Sequence, residues 1–451
     1  MTLRMSFAAS AALAVCLGIA FVLPSRAASP MEVAIREPVA SGGLTLDMAC
    51  RLALDRNEKI QLSEEQMAST RENIRRARAG ILPTLSTSVT QSMNKVAGAG
   101  GFATFRYNRD LRLDLEQPLY GGGKEWAALR ASKVGEEISR EQIRFAKQAL
   151  LLDVSVAYFS VIREQEKLTV SQRSLDLAQQ ELNQAQARKN AGTATRTDVV
   201  RAEVEVTKAK TDLLRAENAV QTSRVRLGFL IGEPVISPVQ NAEADADESW
   251  NLSHLDPLVQ QAMVARSDAR IAQLDIQASE EGVKIARAKY FPSAKLIGNL
   301  SRTENVSAFR ENDNWQVQAK LDYDIFEGFG RDAEYEQSKI VLHQATLSRM
   351  YLSREVELDV REAMLDIESL NAILEEGRNQ VRLAQENYDR ETAQYREGLA
   401  TPVDVADAHT ALITAEEQVA ATRADLQIAR RKADFAVGTI DKSYLKGESA
   451  R

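Results

Sequence analysis

The sequence predicts a mainly α chain of long antiparallel coiled-coil hairpins that also supplies amphipathic strands to a membrane β-barrel. Three observations predict it. The second half of the chain is a diverged copy of the first, each half holds long proline-free stretches with a seven-residue apolar period, and each half holds runs of about ten residues that alternate between apolar and polar side chains.

The chain has 451 residues and a formal net charge of −7, which excludes a basic nucleic-acid-binding surface. Residues 1–27 read as an export leader: Arg4, an apolar run from Phe7 to Leu23, and Ser25 and Ala27 at the small-residue cleavage positions. Cys16 lies inside that run behind Val15, where a lipidation signal wants a small residue, so it is expected to leave with the leader. Cys50 then has no disulfide partner and reads as a small buried apolar residue. Beyond the leader no apolar stretch approaches the roughly 20 residues of a membrane-spanning helix, so any membrane crossing falls to strands.

The repeat fixes the organisation. The stretch 191–199 (A-G-T-A-T-R-T-D-V) matches 397–405 (E-G-L-A-T-P-V-D-V) at an offset of 206, as Ile231-Gly232 matches Val437-Gly438; Pro83 matches Pro292, and Leu46 matches Leu255, at 209. After an N-terminal extended segment at 28–43, the first repeat covers 44–234 and the second 255–438. They are joined by a linker at 235–254, whose acidic run 243–248 reads as solvated, and a tail follows at 439–451.

Within each repeat a first helix is expected, at about 45–80 and 256–290. No proline lies between Pro118 and Pro234 or between Pro292 and Pro402, which permits long helices at about 123–190, 196–231, 329–396 and 402–437. Leu168, Leu175 and Leu182 alternate with Ser171, Ala178 and Ala185; Leu374, Val381, Tyr388 and Tyr395 alternate with Gly377 and Ala384. The returning helices repeat the rule with Val199, Val206, Leu213, Val220 and Leu227, and with Val405, Leu412, Val419 and Leu426. A seven-residue period keeps one seam facing a partner helix, and alternation of large with small residues lets the pair interdigitate. Each outgoing arm is about 100 Å long at roughly 1.5 Å per residue. Alone, this pattern favours a soluble coiled-coil spacer, such as a periplasmic adaptor or scaffold.

The strands argue for a membrane. In 108–118 Leu111, Leu113 and Leu115 share one face, with Arg112, Asp114 and Glu116 on the other; in 314–324 Trp315, Val317, Ala319, Leu321 and Tyr323 oppose Gln316, Gln318, Lys320, Asp322 and Asp324. Weaker partners lie at 84–92 and 293–301. Such runs suit lipid on one side and water on the other, the alternative being a half-buried soluble sheet. Four strands have two open edges, which lipid does not tolerate, so a membrane reading demands an oligomer; two, three or four copies would all close a barrel.

The duplicated tip motif (G-T-A-T-R-T-D-V and G-L-A-T-P-V-D-V), the strand-to-helix turns at 118–124 (P-L-Y-G-G-G-K) and 325–331 (I-F-E-G-F-G-R), and the prolines that follow each first helix resemble the TolC-like outer-membrane efflux proteins over nearly the whole mature chain. The resemblance implies a homotrimer in outer-membrane lipid, its twelve-stranded barrel continued by a periplasmic helical tunnel. It also implies docking of a periplasmic adaptor (membrane fusion) protein and an inner-membrane pump at the tips, at Gly192, Thr193, Ala194, Gly398, Leu399 and Ala400. Rings of Asp that narrow such tunnels fall on Asp404 and Asp407. Asp404 has a second reading, as the N3 acid of a cap begun by Thr401 and Pro402, mirrored by Thr195 and Asp198. The duplication replaces Asp407 with Arg201. The polar lock between tips falls on Asp198 and Tyr395; its arginine falls on Ala400, leaving Arg196 or Arg396 as substitutes, and Tyr395 also reads as seam packing.

No catalytic constellation, cofactor or metal site is expected. The glycines at 121–123 and 328–330 lack the Gly-Lys-Ser/Thr ending of a phosphate loop, and His254, His343 and His409 have no ligand spacing.

Overall fold

The computed structural model describes residues 43–97, 103–240, 255–305 and 310–445. The leader with Cys16, nearly all of the 28–43 segment, the acidic run, His254 and the end of the tail lie outside the described residues. The first repeat contains α1 (Leu46–Arg56), α2 (Glu58–Ala79), β1 (Thr84–Ala97), β2 (Ala103–Gly121), α3 (Lys124–Asn190) and α4 (Arg196–Ile231). The second contains α5 (Leu255–Ala265), α6 (Ser267–Ala288), β3 (Ser293–Asn305), β4 (Arg310–Asp322), α7 (Gly330–Glu397) and α8 (Pro402–Ala436), followed by α9 (Lys442–Leu445).

The helix expected over 45–80 is two helices, and so is the one expected over 256–290. The breaks fall at Asn57 and Arg266, equivalent positions at the 209 offset, and both residues have extended backbone (ψ 126° and 132°). Asn57 ends α1 and caps α2: its Oδ1 accepts from the Lys59 amide at 2.9 Å, and its Nδ2 donates to the Leu230 carbonyl at 2.9 Å. Arg266 holds the second break through Asp268 and Asp359, each at 2.7 Å. Side-chain bonds, some local and some to distant residues, thus outcompete helix continuation, which propensity alone does not register. Asn57→Ala removes a cap and orphans the Leu230 carbonyl, so it is expected to cost about 2 kcal/mol and to lower the thermal midpoint of the solubilised protein by several degrees.

The long helices pair as α3 with α4 and α7 with α8, and α3 also packs along α8, giving the lateral order α4-α3-α8-α7. Nearer the sheet the order is α2-α3-α6-α7. The heptad seams are buried: Ser171, Ala178 and Ala185 on α3, Val199, Val206 and Val220 on α4, Leu374, Tyr388 and Tyr395 on α7, Val405, Leu412 and Leu426 on α8. At Gly377 a Cβ would stand 3.0 Å from Val419, so the small residue there sets how closely α7 and α8 approach.

Halfway along α3 the largest core forms, where Leu150, Leu151, Val154, Tyr158, Phe159 and Ile162 meet Cys50 and Ala53 of α1, Leu227 and Ile231 of α4, and Ile428 of α8. This corrects one expectation: α3 does hold an 18-residue window apolar enough for a membrane span, but over half of that window is buried inside the protein, so it serves the core. Burial pushes the Cys50 thiol up to about 11, in keeping with its reading as a small apolar residue.

The strands form one antiparallel sheet in the order β1-β2-β3-β4. They run beyond the alternating cores read from sequence, because ladder hydrogen bonds continue past the apolar belt. Pro118 lies within β2 at a register shift that ends with Tyr120 opposite Ala294, where its missing amide is tolerated. Direct pairing stacks Leu85-Leu115, Val89-Leu111, Leu113-Leu300, Leu300-Trp315 and Ala294-Leu321 on one face. Ser86-Asp114, Ser88-Arg112, Glu116-Ile297 and Lys295-Lys320 occupy the other. Leu85, Val89, Trp315, Val317 and Leu321 are each more than half exposed, so nothing among the described residues covers the apolar face. At the helix end of the sheet Tyr120, Phe291, Tyr323, Phe326 and Phe329 form an exposed aromatic band, the pattern of a membrane interface.

Candidate functional site

The two hairpin tips end the long helices and lie on neighbouring pairs. Each outgoing helix stops at a glycine with positive φ, Gly192 (77°) and Gly398 (81°), a conformation other residues adopt only with strain. Behind each glycine the chain turns through a backbone bond, Thr193 N–H to the Arg188 carbonyl and Leu399 N–H to the Gln394 carbonyl, both 2.9 Å. The returning helices start with full capping boxes. The Thr195 and Thr401 hydroxyls accept from the Asp198 and Asp404 amides, while each carboxylate accepts from its threonine's amide at 2.8 Å. These bonds hold both carboxyls below their usual range. Their contribution to the helix starts is therefore present above the ordinary carboxylate range and lost as pH falls through the lowered values.

Asp404 is thus bound into its own helix start. Asp407 is exposed one turn further along, and no side chain among the described residues pairs with it. Ala194, Leu399 and Ala400 lie on the tip turns, where Leu399 is 75 % exposed.

The residues expected to form a lock have the following surroundings. Tyr395 is buried in the seam against Val405, Ala408 and Leu412. The arginine that reaches it is Arg188, near the end of α3. Its guanidinium lies 4.5 Å from the Tyr395 ring centroid and donates through Nη1 to the Tyr395 carbonyl. Its charge also helps hold the Asp198 carboxyl down, and Asp198 in turn helps raise the Tyr395 phenol, whose main cause is burial. Arg188 therefore joins α3 to α7 at the tips, while Asp198 of α4 bonds Thr195 of its own helix start. Arg196 and Arg396 are exposed.

Arg188 opens a ladder of polar contacts between the first hairpin and the second. Glu181 accepts from the Tyr388 hydroxyl at 2.9 Å and lies 3.4 Å from His409. Arg173 bonds Gln385 at 2.7 Å and pairs with Glu416; further up, Glu166 meets Arg423 at 3.3 Å and Arg163 meets Asp425 at 3.2 Å. Arg188, Glu181 and Ser174 are seven residues apart, a polar line beside the apolar one of Leu168, Leu175 and Leu182. That spacing was the available signal for Arg188.

Two separate segments, residues 49–233 and 258–439, match the model of the outer membrane efflux protein family, and together they cover most of the chain. The chain belongs to the outer membrane efflux protein family. Its two matched segments correspond to the two repeats. This efflux protein is 23 % identical over 398 residues to nodulation protein T of Rhizobium leguminosarum bv. trifolii, covering 86 % of this chain and 84 % of that one. It is 23 % identical over 407 residues to the outer membrane protein TolC of Escherichia coli K12, covering 86 % and 81 %. Among solved structures the CmeC outer membrane channel of Campylobacter jejuni superposes with a TM-score of 0.78 at 16 % identity, covering 90 % of this chain and 89 % of that one. The efflux protein shares that fold: long helical hairpins carrying a barrel sheet. It resides in the outer membrane, with the hairpins as its periplasmic extension.

Proposed function

We propose that three copies of this chain form a passive exit conduit, closed at the hairpin tips, to which a periplasmic adaptor and an inner-membrane pump dock. The observation that carries the reading is that the chain is open on the same two flanks at every level. In the sheet, β1 and β4 have no further strand beside them among the described residues. Among the helices, α4 and α7 are outermost and carry exposed apolar side chains: Val204, Leu214, Val225 and Phe229 on α4, Tyr351 and Leu358 on α7. A ring closes both at once, joining β4 to the next β1 and α7 to the next α4. It removes the edges that lipid forbids and covers the apolar stripes, and three copies bring twelve strands and twelve tunnel helices.

Asp407 would then line the narrow end in three copies, concentrating negative charge there. Asp407→Asn is expected to lower cation preference in a planar bilayer, whereas Asp404→Asn frays the start of α8 and leaves the preference near wild type. Equal preference in wild type and Asp407→Asn would remove Asp407 from the aperture. Docking is tested with a photoreactive residue at Ala194 or Leu399. Crosslinks to an adaptor-type periplasmic protein are expected, and crosslinks confined to copies of the chain itself would leave the conduit without that partner.

A further inference from the structure

The two repeats of one chain meet where β2 and α3 of the first lie beside β3 and α6 of the second. β2 pairs with β1 only as far as Glu116; beyond it, Gln117 to Gly121 stay in the ladder because β3 lies alongside. β4 is the copy of β2 at the 206 offset, and it ends at Asp322, the match of Glu116, since no strand lies on its far side among the described residues. At the helix end of the β2–β3 contact, Gly122 (φ 67°) sits so close to α6 that a Cβ there would collide with the Ala288 carbonyl. Its match Gly328 keeps the left-handed backbone (φ 61°), yet nothing lies within 4 Å of where its Cβ would be.

The surface that would fill this gap is also present in duplicate. α2 ends at Ala79 as α6 ends at Ala288, at the 209 offset. The same bond closes each turn: Leu82 N–H to the Ala79 carbonyl at 3.2 Å, Phe291 N–H to the Ala288 carbonyl at 3.1 Å. The first turn lies on the β1 edge of the chain and the second inside it.

We propose that neighbouring copies join by repeating, residue for residue, the contact between the two repeats of one chain. This rests on the ring of copies in the conduit reading and fixes how they meet. Leu115-Gly298, Leu111-Arg302 and Tyr120-Ala294, carried over by 206 and 209 residues, place Leu321 opposite Val89 of the next copy, Val317 opposite Met93 and Phe326 opposite Leu85. Polar positions coincide too: Lys320 with Thr90, Gln318 with Ser92, Gln316 with Asn94. A slip of one residue would put each of these side chains on the wrong face. Tyr323 and Asp324 then prolong β4 as Gln117 and Pro118 prolong β2, and Ala79 of the next copy closes on Gly328. In the helices, Arg130 of α3 meets Glu281 and Lys284 of α6. The matching residues are Glu336 of α7 with Glu72 and Arg75 of the next copy, so Arg75 becomes the base that bridges two acids. Further down, Asn379, Ala372 and Ser369 stand where Arg173, Glu166 and Arg163 do in the polar ladder. The repeated contact therefore covers the sheet and the helices beside it, and stops above the tips.

The test is oxidative crosslinking of the full-length protein in outer-membrane fractions, read as covalent trimer on boiled, non-reducing gels. Directly opposite residues have Cα atoms about 4.5–5.5 Å apart, within disulfide reach, whereas a slip of two residues carries them to about 7–8 Å and beyond it. Leu321→Cys with Val89→Cys, or Lys320→Cys with Thr90→Cys, is expected to convert most of the protein to covalent trimer. Adjacent pairs alternate in spacing, so one of the two is the closer kind. Each single change is expected to give none, since Cys50 is buried. Leu321→Cys with Thr87→Cys or with Gln91→Cys keeps the same face and is expected to remain monomeric after boiling. Covalent trimer from a slipped pair, or from no pair while the unboiled oligomer persists, overturns the repeated contact and leaves the conduit reading standing. Absence of oligomer and of conductance from wild type and every variant refutes the conduit itself.

Discussion

Arg188→Ala is expected to open the closed channel. The guanidinium combines a charge-assisted hydrogen bond to the Tyr395 carbonyl with stacking on the Tyr395 ring, and it spans from the first hairpin to the second. At a half-buried site the two contacts together amount to about 2–3 kcal/mol per copy, or roughly 30-fold to 160-fold in the closed-to-open ratio of one tip pair. Three copies acting in a ring multiply the effect. The resting conductance should rise severalfold, and cells should become sensitive to bulky antibiotics that the outer membrane excludes. Arg196→Ala and Arg396→Ala should behave as wild type, since both side chains point into solvent. An open channel in Arg396→Ala with a closed one in Arg188→Ala would place the lock elsewhere.

Leu113→Arg should abolish assembly. Leu113 sits mid-strand in β2, opposite Thr87 and Leu300, on the face that carries Leu111, Leu115 and Trp315. If that face meets lipid, a charge at mid-depth costs about 2–4 kcal/mol per chain, and a trimer carries it three times. The expected result is loss of the chain from the outer-membrane fraction and of the heat-resistant oligomer on gels. The neighbouring change Asp114→Asn lies on the water side and should leave both unaltered. Full assembly of Leu113→Arg would mean that the apolar face is covered by protein and not by lipid.

What the sequence revealed and what it hid divide along a physical line. Properties carried by one helix or strand at a fixed period were legible: the burial of Val199, Val206, Leu412 and Leu426 follows from the heptads, and the two faces of the sheet follow from the alternation at 108–118 and 314–324. The capping role of Asp404 was legible as one of two readings, because a cap is a contact over three residues. The breaks at Asn57 and Arg266 were not, since they depend on Leu230, Asp359 and Ala436, between 93 and 173 residues away. Arg188 was only half legible. Its seven-residue spacing from Glu181 and Ser174 is a local signal, but its partner Tyr395 lies 207 residues on, in the other repeat. The apolar window of α3 is masked in the sequence by small and polar residues, Ser155 and Ala157 among them, which interrupt the run without preventing burial.

The duplication accounts for an asymmetry between the two tips. The tips share a backbone, with matching glycines and capping boxes, yet only the first contributes an arginine to the other's terminal turn, and only the second carries an acid at position 407 where the first has Arg201. Two copies of one hairpin have thus become a pair in which one holds and the other is held.

The most direct test of the conduit is single-channel recording of the purified full-length protein in a planar bilayer, alongside its mass in detergent. Discrete, uniform steps of cation-preferring current from a particle of three chains are the predicted result. A monomer that leaves the bilayer silent would contradict it.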